Sequence, residues 1–261
     1  MSGPMIEISG LTAGYGGKPV LRGVDLTVNA GEFTGVLGPN GSGKTTLIRA
    51  LSGVLPPQAG SIRIAGDDIR ALPPKARARR CATVPQKTQG LPGMRALDLV
   101  LMGRYPYATL LGGYGRTDLE RARAAMDETR CLHLQDRATD TLSGGELQRV
   151  VMAKALAQDT RLLLLDEAAS NLDVARAMDL YELLRARNAG GLTVLTVAHD
   201  LNLAALYCQR LVFLKNGALV ADGPTRDVFT AQTLSEIYDT TLFVAPHPLN
   251  GAPQAHLVPR P

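Results

Sequence analysis

Four short runs carry residue types whose spacing can do chemistry. Gly38–Thr45, "GPNGSGKT", fits G-x-x-x-x-G-K-[ST]. In such a loop backbone N–H groups turn inward around phosphate oxygens, and the following helix adds its positive N-terminal end. Lys44 would reach the β- and γ-phosphates, and the Thr45 hydroxyl would sit on Mg²⁺. In "LLLLDE" four leucines run into Asp166 and Glu167. The leucines suit a parallel strand buried on both faces. At its C-terminal end Asp166 can hold Mg²⁺ through water, and Glu167 can orient or polarise an attacking water. Such carboxylates could instead cap a neighbouring helix; a phosphate loop in the same chain favours the metal-and-water reading. His199 closes another apolar run, "TVLTVAH", which places it on the sheet edge where open α/β sheets bind ligands. There it is either a γ-phosphate sensor or a structural histidine. "LSGGE", Leu142–Glu146, stands just before a helix. Ser143 and its two glycines form either a second phosphate-facing turn or an N-cap with glycine-permitted geometry.

These residues need a sheet to aim them. Residues 5–37 alternate short β-type runs with turn signals, which predicts an antiparallel region leading into one buried strand, Thr34–Leu37. A helix should run from Lys44 to about Ser52. "GSIRIAG" reads as a strand or hairpin arm, and "CATVPQ" as a strand ending at Pro85. From about 91 to 142 the spacing turns helical, in "MRALDLVLMGR" and "DLERARAAMDETRCL", which predicts a helical insertion. The α/β alternation then resumes: a helix over about Gly145–Ala157, the strand Leu162–Asp166, and an amphipathic helix near 174–188. That helix should bury Val174, Ala177, Met178, Tyr181 and Leu184 on one face. A helix near 201–208 precedes the hairpin "RLVFLKNGALVADG", with a turn signal at its "NG". "TRDVFTAQTLSEIYD" reads as a short helical pair. The prolines at 246, 248, 253, 259 and 261 predict an irregular, mobile tail.

Composition narrows the class without naming it. The chain has 261 residues, 45% hydrophobic and 20% charged, with a net charge of +4. That mild basic balance singles out neither nucleotides, nucleic acid nor a membrane surface. No segment approaches the roughly 18–20 apolar residues that span a bilayer, and the start lacks the pattern of a secretory signal. The expectation is a protein that stays in the cytosol. Cys81, Cys131 and Cys208 are far apart and odd in number, which fits reduced thiols rather than a disulfide or metal framework. His133 and His247 lack any comparable context.

The order "GPNGSGKT", "VPQ", "LSGGELQRV", "LLLLDE", "SNLD", "VAHD" resembles the ATPase subunits of ABC transporters over roughly residues 5–240. The resemblance implies an α/β P-loop NTPase of the ABC ATPase type. Its RecA-like mixed-sheet core would carry an N-terminal antiparallel β subdomain and a helical subdomain inserted at about 91–142. Residues 1–240 would form a single ATPase domain, and 241–261 a Pro-rich tail. It further implies two copies dimerised head to tail, with ATP and Mg²⁺ between them. One copy would supply Gly38, Pro39, Asn40, Gly41, Ser42, Gly43, Lys44, Thr45 and Thr46; the other would supply Ser143, Gly144 and Gly145. Tyr15 matches an adenine-stacking aromatic, unless it is an ordinary loop tyrosine. Gln86 matches a ligand of Mg²⁺ and water that links the site to the helical insertion. With Thr45 and Asp166 it would complete the metal set. Glu167 matches the catalytic base, His199 the switch histidine, and Asp173 the loop that signals across the dimer.

"LMGRYPY" and "GPTRDVFTAQTLSEIYD" resemble importers of iron–siderophore, haem or cobalamin. That would seat residues 87–107 against a separate transmembrane permease, on the cytoplasmic side of the membrane, with a substrate-binding protein as an indirect partner and no nucleic acid. "LMGRYPY" is otherwise a helix end and turn. The chain departs from the family at Ala168 and Ala169, where Pro and then Thr or Ser are usual, and at Lys154, where Arg is common. The alternatives are a soluble ABC ATPase of translation, repair or cluster assembly, or an ABC ATPase of a different cargo class. Translation members generally carry two ATPase units or a linker and repair members a long coiled coil, and this sequence shows one unit and no sustained heptads. Glu167 and His199 argue against a module that does not hydrolyse.

Overall fold

The computed structural model describes residues 3–86, 93–109, 113–170 and 172–259. The chain opens with two twelve-residue strands, β1 (Pro4–Tyr15) and β2 (Lys18–Asn29). They pair around a Gly16–Gly17 turn with both glycines at positive φ, the geometry a two-residue hairpin requires. The turn-like signals within these strands prove to be β-bulges. The register shifts between Ile8 and Leu11, so runs that look separate in sequence form one bent strand. The buried strand β3 (Phe33–Leu37) and helix α1 (Lys44–Leu51) follow. Next come β4 (Ala59–Ile64), β5 (Asp67–Asp68), α2 (Pro74–Ala78) and β6 (Cys81–Val84).

The insertion contains α3 (Ala96–Leu101), a 3₁₀ turn over Met102–Tyr107, and α4 (Arg116–Glu128). It leads into α5 (Gly144–Ala157) and β7 (Leu162–Asp166). The rest is α6 (Val174–Ala189), β8 (Thr193–Val197), α7 (Leu201–Tyr207), β9 (Arg210–Lys215), β10 (Ala218–Pro224), α8 (Thr225–Val228) and α9 (Ala231–Tyr238).

Six strands form the central sheet in the order β10-β9-β3-β8-β7-β6, parallel except for the edge strand β10. Strands β3, β7 and β8 are buried at every residue, because both faces of the sheet are covered. Leu163 and Leu165 face the core shared with the helices, whereas Leu162 and Leu164 face the core shared with α1 and the antiparallel sheet β2-β1-β4-β5. The leucine run is therefore two alternating faces, each with its own partner.

Two expectations need correction. The tail is ordered: β11 (Leu242–Pro246) and β12 (Pro253–Leu257) form an antiparallel hairpin, and Asn202 of α7 exchanges two hydrogen bonds with the Ala255 backbone. Pro246 and Pro253 pair with each other at the end of the ladder next to the turn, where a missing N–H costs the sheet nothing. Pro261 lies outside the described residues. In α6 the buried stripe is Ala177, Leu180, Tyr181, Leu184 and Asn188, while Val174 and Met178 are exposed. The 3.6-residue period selects that stripe; Val174 sits in the free first turn and Met178 one position off it. All three cysteines are free and buried. Among the described residues no helix is long and apolar enough to cross a membrane.

Candidate active site

Strand β3 delivers the glycine-rich loop to the start of α1. Gly38 has φ 145°, and a Cβ there would stand 2.0 Å from the Leu214 carbonyl oxygen, so no side chain is tolerated. The buried Lys44 ammonium turns back into the loop, donating to the carbonyls of Gly38 at 2.7 Å and Pro39 at 3.0 Å. Burial pushes its pKa down, against the opposing pull of Glu167 and Asp166. Residues Asn40–Thr46 and Glu167 line a cavity of about 160 Å³. Among the described residues the buried Ser42 hydroxyl has no hydrogen-bond partner. A buried cation parked on carbonyls beside an unsatisfied hydroxyl is a donor set that fits phosphate oxygens.

The acidic strand end lies against this loop. Thr45 Oγ1 donates to Asp166 Oδ1 at 3.0 Å. Burial raises the Asp166 pKa, and the charge of Glu167 adds to the rise. Glu167 takes a left-handed backbone with φ 53°, an uncommon conformation for a residue with a side chain. Its N–H donates to Val197 O at 3.2 Å. Its carboxylate is held from both sides: His199 Nε2 lies 2.5 Å from Oε1, and Gln86 Nε2 donates to Oε2. Gln86 stands just past the end of β6 and His199 just past the end of β8, the strands flanking β7. The sheet order thus gathers Gln86, Glu167 and His199 at one edge. A second cavity, of about 390 Å³, runs from Glu167 and His199 between α6 and α7 to Tyr181.

The turn after Glu167 closes without proline. Ser170 N donates to Glu167 O at 3.0 Å, Leu172 N to Ala169 O at 3.1 Å, and Gln148 Nε2 to Ala168 O at 3.0 Å. Those three bonds supply the restraint that a proline ring would otherwise give. Lys154 is half-buried and its pKa is lowered by burial. Its carbonyl oxygen packs against Gly103, where a Cβ would approach to 2.2 Å.

The other predicted site residues sit apart from this cluster in ways the sequence left open. Ser143 caps α5: its Oγ accepts from Glu146 N at 3.4 Å, while its own N–H donates to Glu146 Oε2 at 2.8 Å, a reciprocal capping box. Gly144 is exposed with open space over it, and Gly145 is covered by the Arg176 guanidinium. Asp173 caps α6 by accepting from Arg176 N at 2.9 Å, and pairs with its side chain at 2.9 Å. Tyr15, at the end of β1, accepts from Arg49 of α1 at 3.0 Å, with the guanidinium 5.8 Å from the ring centroid. Sequence reasoning missed Arg49, Gln148, Arg176 and Tyr238. The last accepts a hydrogen bond from Gly38 N at 3.1 Å. Each belongs to a helix whose local pattern carries no sign of its distant contact.

"LMGRYPY" resolves into a structural tie. Arg104 is buried, pairs with Asp118 at 2.9 Å, donates to Ala157 O at 2.8 Å, and lies 4.0 Å from the Tyr107 ring centroid. It joins the start of α4 to the end of α5.

A mostly parallel sheet that aims a phosphate loop, an acidic strand end and a histidine at one edge defines a P-loop nucleotide-binding ATPase. The antiparallel sheet before α2 and the helices inserted between β6 and β7 are those of an ATP-binding cassette. The family described as "ABC transporter" matches residues 21–170. The chain is 37% identical to the ferric enterobactin transport ATP-binding protein FepC of Escherichia coli, over 93% of this chain and 90% of that protein. It is 43% identical to the hemin import ATP-binding protein HmuV of Nocardia farcinica, over 90% of this chain and 81% of that protein. Against the uncharacterized ABC transporter ATP-binding protein YvrA of Bacillus subtilis it is 39% identical over 97% of its length, yet spans only 58% of that protein. Its fold matches a metal-chelate type ABC transporter in an inward-facing conformation, with a TM-score of 0.83 and 26% identity over 98% of both chains. The chain belongs to the ABC transporter family and is an ATP-binding ATPase subunit of it.

Proposed function

We propose that this subunit hydrolyses ATP to power an importer for iron–siderophore, haem or cobalamin. The observation that carries the catalytic part is the Glu167 carboxylate, clamped between Gln86 and His199 beside the phosphate loop. Lys44 would leave the Gly38 and Pro39 carbonyls for the β- and γ-phosphates, joined by Ser42 and the backbone of Gly38–Thr46. Thr45, Asp166 and Gln86 would hold Mg²⁺, which neutralises charge on the phosphate oxygens when bound. Glu167 takes a proton from the attacking water, and His199 holds Glu167 in place and faces the γ-phosphate. Tyr15 presents its exposed ring to adenine.

The partner in this reading is a second copy, arranged head to tail. Ser143 and Gly144 are exposed, and Gly144 has open space over it. That turn can meet the ATP held by the other copy's loop. Asp173, exposed and tied to Arg176, lies on the same side of the α5–α6 junction and would relay between the copies. The cargo class follows from the relatives named for ferric enterobactin and hemin. The segment 93–107 would meet a permease on the cytoplasmic face of the membrane, and a substrate-binding protein would deliver cargo from the other side. Residues 87–92, the start of the expected permease-facing range, lie outside the described residues. The single-domain reading of 1–240 extends here to include the 242–257 hairpin, which packs on α7.

Reconstitution with a candidate chelate permease tests the reading. ATP-dependent uptake of one of the three chelates is expected; ATP-dependent efflux overturns it. For the chemistry, the ATPase rates of wild type and Glu167→Gln decide, and equal rates sink the assignment of the base.

A further inference from the structure

The C-terminal helix α9 reaches the phosphate loop. Tyr238, its last residue, accepts the Gly38 N–H on its hydroxyl at 3.1 Å, while the Gly38 carbonyl accepts the Lys44 ammonium at 2.7 Å. Gly38 has no side chain to fix its rotation, and the Leu214 carbonyl oxygen, 2.0 Å from where a Cβ would stand, forbids one. Its conformation therefore depends on those two hydrogen bonds. When Lys44 moves to phosphate, one is lost and Tyr238 holds Gly38 alone.

Tyr238 is itself well anchored. Leu234 and Ile237 of α9 are buried. Lys215, at the end of β9, donates to Glu236 O at 2.7 Å and to Asp239 Oδ1 at 2.8 Å. Burial pushes the Tyr238 hydroxyl up to about 12, so it stays a neutral phenol under working conditions. The chain continues from α9 into the terminal hairpin, where Leu242 N donates to Ser235 Oγ at 3.0 Å. The hairpin then clamps Asn202 of α7, whose N-cap, Asp200, adjoins His199.

We infer that Tyr238 is a positioning residue for ATP binding: its hydroxyl fixes Gly38 while Lys44 passes from the loop carbonyls to the phosphates. The C-terminal helix α9, through this one hydroxyl, thereby sets the affinity of the loop. This rests on the reading of Gly38–Thr45 as the ATP phosphate site.

The test uses the full chain, with MgATP, and separates KM from kcat. Tyr238→Phe removes only the hydroxyl, and one hydrogen bond of ordinary strength predicts a KM raised about three- to tenfold, with kcat changed less than about twofold. Asn202→Ala loosens the hairpin that follows α9 and should leave KM within about twofold. A Tyr238→Phe KM equal to wild type overturns the inference, as do parallel changes in both variants. Amide exchange in the wild type gives a second measure that needs no variant. The Gly38 amide should exchange more slowly than that of Gly41, and equal rates overturn the inference even if Tyr238→Phe does not fold. Lys44→Ala keeping full ATP affinity would instead sink the phosphate-site reading itself.

Discussion

The phosphate loop and the Ser143–Gly145 turn are both glycine-containing starts of helices, yet they are built in opposite ways. At the loop the polar groups are buried: Ser42, Lys44, Thr46, Asp166 and Glu167 are each at most 9% exposed. The carboxylates take partners from far along the chain, Asp166 from Thr45 and Glu167 from Gln86. At the turn the bonds are local, from Ser143 to Glu146 and from Asp173 to Arg176, and the groups are exposed. The first region is preorganised by its own fold. The second satisfies itself with caps that a second copy can approach without unfolding anything. In the proposed dimer, one chain would hold a finished half and an open half of a shared site.

The sharpest way to break that contrast is Glu167→Gln. Removing a general base should lower the ATPase rate about 10²- to 10⁴-fold while MgATP binding survives, checked by steady-state rates and a binding titration. Ser143→Arg should act next most strongly. It fills the open turn, so hydrolysis should fall about 10²-fold while one chain still binds ATP as wild type. Mixing it with a Lys44→Ala chain restores one intact site, and activity should return; failure to recover would break the two-copy reading.

Arg104→Met probes the tie inside the helical subdomain. Leaving Asp118 mostly buried without its partner should cost about 3–5 kcal/mol, measured by denaturant unfolding. The smallest effect on stability is expected from Asp166→Asn. Because burial raises the Asp166 pKa, its ionised form is costly in the folded state without nucleotide. The substitution should raise stability slightly at neutral pH and abolish metal-dependent turnover. A raised folded pKa binds its proton more readily than the unfolded chain, so the wild type loses stability as pH rises through that folded value. The advantage of the substitution should therefore shrink as pH falls from that folded value towards about 3.9, the unfolded value, and be gone below it. An advantage that persists in acid would show that charge is not the cause.

Much of the catalytic cluster is legible along the chain. The loop, the acidic strand end and the histidine sit in contiguous runs whose residue types state their own backbone needs. The strand Leu162–Asp166 is legible to its ends, because a leucine run between Arg161 and the Asp166–Glu167 pair leaves little latitude. Elsewhere local signals mislead. The glycines in β1 and β2 look like turns and are bulges, and the tail prolines look like disorder and bound a hairpin. "LMGRYPY" marks a resemblance without revealing that Arg104 is a buried tie.

The sequence by itself determined which residue types the proposed chemistry rests on, those offered for phosphate, metal and proton transfer, and in what order they lie. Tertiary structure alone decided who holds them. Glu167 is clamped because β6, β7 and β8 lie side by side, and Gly38 meets Tyr238 across 200 positions because β9 lies beside β3. Neighbourhood in a sheet is set by how strands pair across the whole domain, and no local periodicity records it.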